Sequence, residues 1–590
     1  MNDPTGNGEL EQLIDEYRDG KVSRRQFVKV AGGLGVSVAA AGSILAACGS
    51  DEAAAPATTA APATTAAPAT TAAPTTTAAP TTTAGPTSGG TLKEGYDLDF
   101  SKHDPITTNW YDPAFFAIYE ALLTNDPDGN DNHQLATSFT KSADGMEYRF
   151  DIDPSGTFHS GKPANAAAVA DFLAFFKATS FIATLAAPVA SYEAEGDQLV
   201  VKMANPWVGT LGPHKTGYFR VLCMDTWNAE GGMESTTYGT ELADGTGPFT
   251  HEEFVPGSHV LVKRWEDYPG SNTEFFENKG KAYLDAIRWS FIPEASQRAV
   301  QLENGDIHTL KGPAPQDVSR LESNSDITVY RFPEWSGYIL TLNQDWDEYF
   351  SDVRVRKAIA HLIDREAMRD AVFFGDAVAD FGPLPPTDKF YDPVVEEMIS
   401  YNPDAAAALM TEAGWALNGD GIWEKDGTVL SFEFAVQAES INEAVATTAS
   451  AMMREGGVDA QVNVVDRAVM FEKQATEGKG AAPMTLFYWL WPIPIDVLNL
   501  FVNSATIPFP NMSRANVPAI DESMAAWTSA GTLEEGQAAQ SAFQVAYCEN
   551  VPYVPMVTRN AVFAKRNNVH GWQPTLWNLY PYYNDVWIEG

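Results

Sequence analysis

The chain has 590 residues, room for three or four domains or for two large lobes. Hydrophobic residues make up 44% and aromatic residues 11%, enough for extensive packed cores, so a wholly disordered polymer is excluded. With 78 acidic against 38 basic side chains the net charge is −40, a surface that repels phosphate backbones and argues against nucleic-acid binding.

The first elements in chain order are targeting signals. Ser23-Arg24-Arg25-Gln26-Phe27-Val28-Lys29 is a twin-arginine pattern, and residues 30–47 form an uncharged run of small apolar residues. The run ends in Leu45-Ala46-Ala47-Cys48, which resembles a lipobox, where the chain is cut before a cysteine whose thiol is lipidated. Its Gly and Ala content and marginal length make a stable membrane span the weaker reading. Residues 1–47 are therefore expected to be a Tat signal peptide, and Cys48 the lipidation site. Residues 48–88 are expected to be a lipid-anchored stalk, dominated by Ala, Pro and Thr in repeats such as ATTAAP. Such a composition buries no core. At about 3.1 Å per residue, roughly 35 semi-extended residues reach on the order of 100 Å.

From about Gly89 the pattern becomes that of an α/β body. Ser351 or Asp352 is placed to cap a helix carrying Val355, Ile359 and Leu362 on one face. Asp364 opens a second helix that ends near Gly375. The clearest βαβ unit runs through a strand at 428–436, a helix at 441–455 stopped by Gly456-Gly457, and a strand at 460–466. Residues 481–502 carry one charge, Asp496, and are long enough to span a bilayer. Pro483, Pro492 and Pro494 argue against a straight helix, so a buried strand at 484–490 entering an aromatic loop is expected. Besides Cys48, only Cys223 and Cys548 are present. An oxidising compartment would permit a bridge, and two buried thiols fit equally well.

A series of motifs then stands in a telling order: YEALLTNDPDGN at 119–130, DGMEYRFDI at 144–152, TFHSGKPANAAAVADFLAFF at 157–176, GTGPF at 245–249 and YLDAIRWSFIPEASQRAVQLENGDI at 283–307. DVRVRKAIAHLIDREAM follows at 352–368, then GPLPP at 382–386, YNPDAAAALMTEAGW at 401–415 and VPYVPMVTRNAVFAKRNNVHG at 551–571. Together they resemble the family 5 extracellular solute-binding proteins, the oligopeptide, dipeptide and nickel receptors of ABC importers. The resemblance covers roughly residues 90–575.

It implies an α/β, periplasmic-binding-protein-like two-lobe fold of type II, in the large three-subdomain form, with a hinge and an interlobe cleft. The expected base of the first lobe is 89–132 with 241–334 and 548–590. The expected inserted subdomain is 133–240, and the second lobe is 335–547. It implies a small-molecule or peptide ligand held between the lobes and delivered to an ABC permease. It also implies a monomer lipid-anchored outside the cytoplasm, with no cofactor and no covalent chemistry; no metal site of the protein's own side chains is expected, while a nickel receptor that takes the metal inside a small chelator stays open.

Pockets of this kind are mostly apolar and aromatic with a few placed polar groups. Three clusters are the expected ligand contacts: Asn109, Trp110 and Tyr111; Trp335, Tyr338 and Asn343; and Phe487, Trp489, Leu490 and Trp491. For each, ordinary core packing is the competing reading. Peptide-binding members resemble one another in a W-x-A-D-Y-x-x-P pattern whose Asp pairs with the peptide ammonium. Aligning its proline with Pro494 puts Leu490 at the Asp position and Trp491 at the Tyr. A leucine cannot balance a buried ammonium. A ligand other than a simple free-amino peptide is therefore expected, since Trp489 and Trp491 suit flat apolar faces, sugars or cationic groups.

Other classes fare less well. Residues 138–141 fit SxxK and residues 215–217 fit KTG, as in serine transpeptidases, but they lie 77 residues apart with no SDN between. No GxSxG or HExxH occurs in the body, and no His stands at zinc spacing from another His or Cys. His159 in FHSGKP is expected to be structural. A solute sensor that imports nothing would share every feature above.

Overall fold

The computed structural model describes residues 85–97, 99–100, 102–108, 112–215, 217–335, 337–488, 494–575 and 580–590. The signal segment, Cys48 and most of the stalk lie outside them. Two sheets organise the body. The larger begins with Thr91–Tyr96, which pairs in parallel with Ala286–Phe291 on one side and Thr309–Lys311 on the other. From there it runs outward through His259–Arg264 to Phe249–Val255, and through Val557–Arg566 to Ile327–Pro333. A short strand, Ala377–Ala379, pairs with residues 557–559. The smaller sheet has the order Asp459–Val465, Ser431–Gln437, Met484–Tyr488, Tyr338–Leu342, Tyr553–Pro555.

The βαβ unit expected from the sequence is present. Ser431–Gln437 and Asp459–Val465 pair in parallel, and the helix Ser440–Glu455 connects them. The first strand is interrupted at Leu430, with Thr428–Val429 pairing into a separate small sheet. Gly457 follows the helix at φ +84°, a conformation that suits a residue without a Cβ. The helix pair is also present. The Asp352 carboxylate accepts from Arg354 N to cap Val353–Leu362, and Asp364 accepts from Ala367 N to cap Arg365–Phe373. The expected strand is present as Met484–Tyr488, and residues 489–493 of the expected loop lie outside the described residues. A helix, Pro494–Val502, stands where a continuing loop was expected. Its proline occupies the first turn, where the missing N–H has no intrahelical partner to lose. Among the described residues no helix is long and apolar enough to cross a membrane.

A third sheet, Ala136–Lys141, Glu147–Ile152, Gln198–Met203 and Val189–Glu195, forms the core of the segment between the first strands and Phe249–Val255. It is fixed to the larger sheet's layer by two of the quoted motifs. His159 N donates to Gly245 O, its Nε2 lies 3.0 Å from Gly247 O, and Ser160 N donates to Asp244 Oδ1. Gly245 and Gly247 are needed for this approach, since a Cβ would fall 2.1 Å from Ile118 O or 2.4 Å from Ala117 O. His159 also meets Trp265 edge-on at 4.8 Å, all of which gives it structural contacts.

Two short links join the two large sheets directly. Ile327–Pro333 ends in the larger, and Tyr338–Leu342 begins in the smaller. Tyr553–Pro555 ends in the smaller, and Val557–Arg566 begins in the larger. The second passage thus falls at Met556, further along the chain than 547. Cys223 and Cys548 are both buried and unbridged.

Candidate functional site: a cleft beside the crossings

A cavity of about 1160 Å³ opens beside the two crossings. The larger sheet's side contributes Asp97, Arg298, Lys311 and the loop 312–316. The smaller sheet's side contributes residues 371–374 and the start of the helix Ser440–Glu455, and the crossings themselves contribute Glu334 and Arg559. Walls from both sheets therefore face one space, with the two crossings at its root.

The polar groups of this wall are balanced against one another. Arg559 Nε donates to Glu334 Oε2 and to the Tyr488 hydroxyl, both at 2.9 Å, and its guanidinium lies 4.2 Å from the Tyr488 ring centre. Burial works against this cation, but Glu334, Tyr338 and Asp97 outweigh it and hold Arg559 firmly charged. Lys311 Nζ lies 3.4 Å from Asp97 Oδ1. Burial likewise opposes the Asp97 carboxylate, yet Lys311, Arg298 and Arg559 bring it down to about 2. The side chain of Arg298 ties together Ile292 O, Pro293 O and Gly312 O, so it shapes the loops of the wall. Gly312 has φ +68°, and a Cβ there would press on Asp97.

The apolar part is led by Phe374. It terminates the helix Arg365–Phe373 with φ 55°, a left-handed conformation that costs a non-glycine residue of order 1 kcal/mol. Its side chain is 65% exposed while lining the cavity, beside Ile441 and Ala444.

The residues selected from sequence are placed as follows. Tyr338 and Phe487 sit on adjacent strands. Tyr338 pairs opposite Tyr488 with rings 4.6 Å apart, and Phe487 packs on Phe501 at 5.3 Å. Trp335 is buried in the first crossing. Asn343 is buried in the turn after its strand, where Nδ2 donates to Ala482 O and Oδ1 accepts from Asp345 N. None of these four is among the residues lining the cavity. Asn109, Trp110, Tyr111, Trp489, Leu490 and Trp491 lie outside the described residues. They adjoin Asp112, which caps the buried helix Pro113–Ile118, and Tyr488, which Arg559 holds.

Sequence reasoning missed Phe374 and Arg559. The pair Phe373-Phe374 before a glycine carried a signal for the first, since a helix end packs one such ring and turns the other out. Arg559 stood inside a quoted motif, but only the crossing shows that it lies half-buried in the cavity wall against Glu334 and Tyr488. The SxxK match dissolves for a geometric reason. Ser138 and Lys141 lie three apart on the strand Ala136–Lys141, hence on opposite faces, and the Ser138 hydroxyl is donated to Asp151. Among the described residues no group of three or more His, Cys, Asp or Glu is placed to hold a metal ion.

The model for bacterial extracellular solute-binding proteins, family 5 matches residues 132–507, more than half of the chain. This chain belongs to that family. Among its curated family 5 relatives, the oligopeptide-binding protein AppA of Bacillus subtilis is 27% identical over 244 residues, which is 41% of this chain and 43% of AppA. The nickel-binding periplasmic protein of Escherichia coli is 26% identical over 430 residues, 68% of this chain and 76% of that protein. Against solved structures, AppA from Bacillus subtilis in complex with a nonapeptide superposes with a TM-score of 0.71 at 21% identity, covering 86% of this chain and 100% of AppA. The fold of this family 5 protein is thus the two-lobe, type II periplasmic-binding-protein fold, and the cavity lies between its lobes.

Proposed function

We propose that this protein is the extracytoplasmic receptor of an ABC importer. In this reading it is exported by the Tat route, held to the membrane by lipid on Cys48, and takes a peptide or other small solute in the interlobe cleft for delivery to a permease. The observation that carries the reading is the cavity of about 1160 Å³ with walls from both lobes and two crossing strands at its root. Closure about those strands would exclude water from the ligand and strengthen its polar contacts. A ligand can hold the closed arrangement only by binding it more tightly than the open one.

Within this proposal the aromatic sets 109–111 and 489–491 retain the contact role expected of them, and Phe374 joins them as an exposed ring in the cleft. Leu490, where peptide receptors carry an acid, favours a ligand without a free ammonium at that point. Mass spectrometry of small molecules released from the purified protein, followed by titration calorimetry with free-amino peptides and with the released compound, tests this. The expected result is a bound solute that Phe374→Ala weakens by about tenfold, the scale of one lost aromatic contact. Tight binding of free-amino peptides alone would overturn the ligand preference, and a protein that binds no solute would overturn the receptor reading.

A further inference from the structure

The second crossing carries two opposite charges that face the same joint and do not meet. Asp380 follows the strand Ala377–Ala379. Its N–H donates to Met556 O, at the point where the chain changes sheets, and its Oδ2 accepts from Thr558 Oγ1 at 2.6 Å. The first crossing touches the same carboxylate, since a Cβ on Gly337 would lie 2.8 Å from Asp380 Oδ2 and 2.3 Å from Val557 O. On the other side stands Arg365, whose Nε donates to Pro555 O, one residue before the passage. Its Nη1 serves the carbonyls of Ala360, Ile363 and Ile399. What remains is Arg365 Nη2 and Asp380 Oδ1, each buried and each without a hydrogen-bond partner among the described residues.

Buried groups left unsatisfied are costly, and two such groups of opposite charge at one joint are complementary. Arg365 is anchored before Met556 and Asp380 is anchored at and after it. A rotation about this residue therefore changes the distance between them. We propose that Asp380 and Arg365 form a two-position hinge contact, apart in the lobe arrangement of this structure and joined in a second one, so that protons bias the lobes between the two.

The surroundings agree. Burial lifts the Asp380 carboxyl to about 7 here, against the opposing pull of Thr558 and the Arg365 charge. Burial also pushes Arg365 down to about 10, leaving it charged at neutral pH. The other titratable groups that sense Asp380 are Tyr391 and Tyr547, each kept neutral by burial. Cys548, which senses Arg365 and Lys357, is likewise kept neutral by burial, its thiol at about 12. Among the described residues, Arg365 is the cation whose charge acts on Asp380 in the present arrangement. An ion pair would favour the ionised carboxylate, so the joined arrangement has the lower Asp380 pKa. Falling pH then favours the arrangement seen here, and rising pH favours the joined one.

The test needs no ligand, so its outcome is separate from that of the solute search. Spin labels are placed on the full chain at Ser325→Cys and Ala408→Cys, exposed positions on opposite lobes, with Cys48→Ser added. Cys223 and Cys548 are buried and stay unlabelled. Pulsed dipolar spectroscopy then reads the interlobe distance from pH 5.5 to 8.5. The expected result is two distances whose ratio changes at least about tenfold over this range, with a midpoint near neutrality. Asp380→Asn should hold the low-pH distance throughout. Thr558→Val, which removes the donor that favours ionisation and keeps the carboxyl, should move the midpoint to higher pH. A single unchanged distance in the parent chain overturns the proposal. So does an Asp380→Asn chain with the parental response, or, should that variant not fold, a Thr558→Val chain with an unmoved midpoint.

Discussion

At the scale of single residues, the Arg559–Glu334 pair shows how a buried carboxylate is balanced beside the cavity. Glu334 is 1% exposed and its carboxylate has Arg559 at 2.9 Å. Removing one partner leaves the other desolvated and unbalanced, whereas removing both leaves no orphan. Arg559→Met alone should therefore cost about 3–5 kcal/mol in urea denaturation. Arg559→Met combined with Glu334→Gln should recover much of that loss. Equal losses in the single and double variants would show that Arg559 acts through its cation–π contact with Tyr488 rather than through its charge partner. The pair was invisible in the sequence because its members stand 225 positions apart. By contrast, His159 could be read as structural from its place in FHSGKP, since its partners sit in the neighbouring GTGPF motif.

At the scale of elements, the legible features were those set by local chemistry. Asp352 and Asp364 announced their helices because a carboxylate before an apolar-periodic run satisfies otherwise orphaned N–H groups. The βαβ unit was readable because both strands and the helix between them keep their own periodicities. Residues 481–502 were harder. An unbroken apolar run does not reveal where a buried strand gives way to a buried helix, and only Pro494 marked the change. The boundary at 334/335 came from the family resemblance alone, and no local periodicity marks the crossings, since a passage between sheets is a tertiary event. Gly337 is their most constrained point. Gly337→Ala would drive a methyl into Val557 O and the Asp380 carboxylate, forcing the two crossing strands apart. The expected cost is about 1–3 kcal/mol, read as a lowered urea midpoint, with faster hydrogen exchange in the segments 333–342 and 553–560. Unchanged exchange there would mean that the strands move apart without strain.

At the scale of the whole molecule, buried carboxyls set the response to acid. Burial raises Glu94, which accepts from Thr309, Trp289 and Trp572, to about 7, and raises Glu120 to about 7 as well. Both are ordinarily near 4.5, so the folded chain holds two protons that the unfolded chain releases between pH 4.5 and 7. Their stabilisation is complete below about 4.5 and is lost as pH rises through 7, roughly 3 kcal/mol for each. Asp97 acts in the opposite sense, since its contribution is present above its ordinary 3.8 and fades as pH falls toward 2. The urea midpoint should accordingly be higher at pH 5 than at pH 8 and fall again below pH 3. A midpoint that rises from pH 5 to pH 8 would place those two carboxyls in contact with water. The net charge of −40 works in the same direction, because neutralising carboxylates relieves repulsion across the surface.

The two sulfhydryls of the body sit sealed within the packing, on separate elements and unlinked to each other. No covalent staple of that kind is needed to complete its tertiary structure. With both thiols free, the shape described here is compatible with a reducing interior as well as with an oxidising exterior.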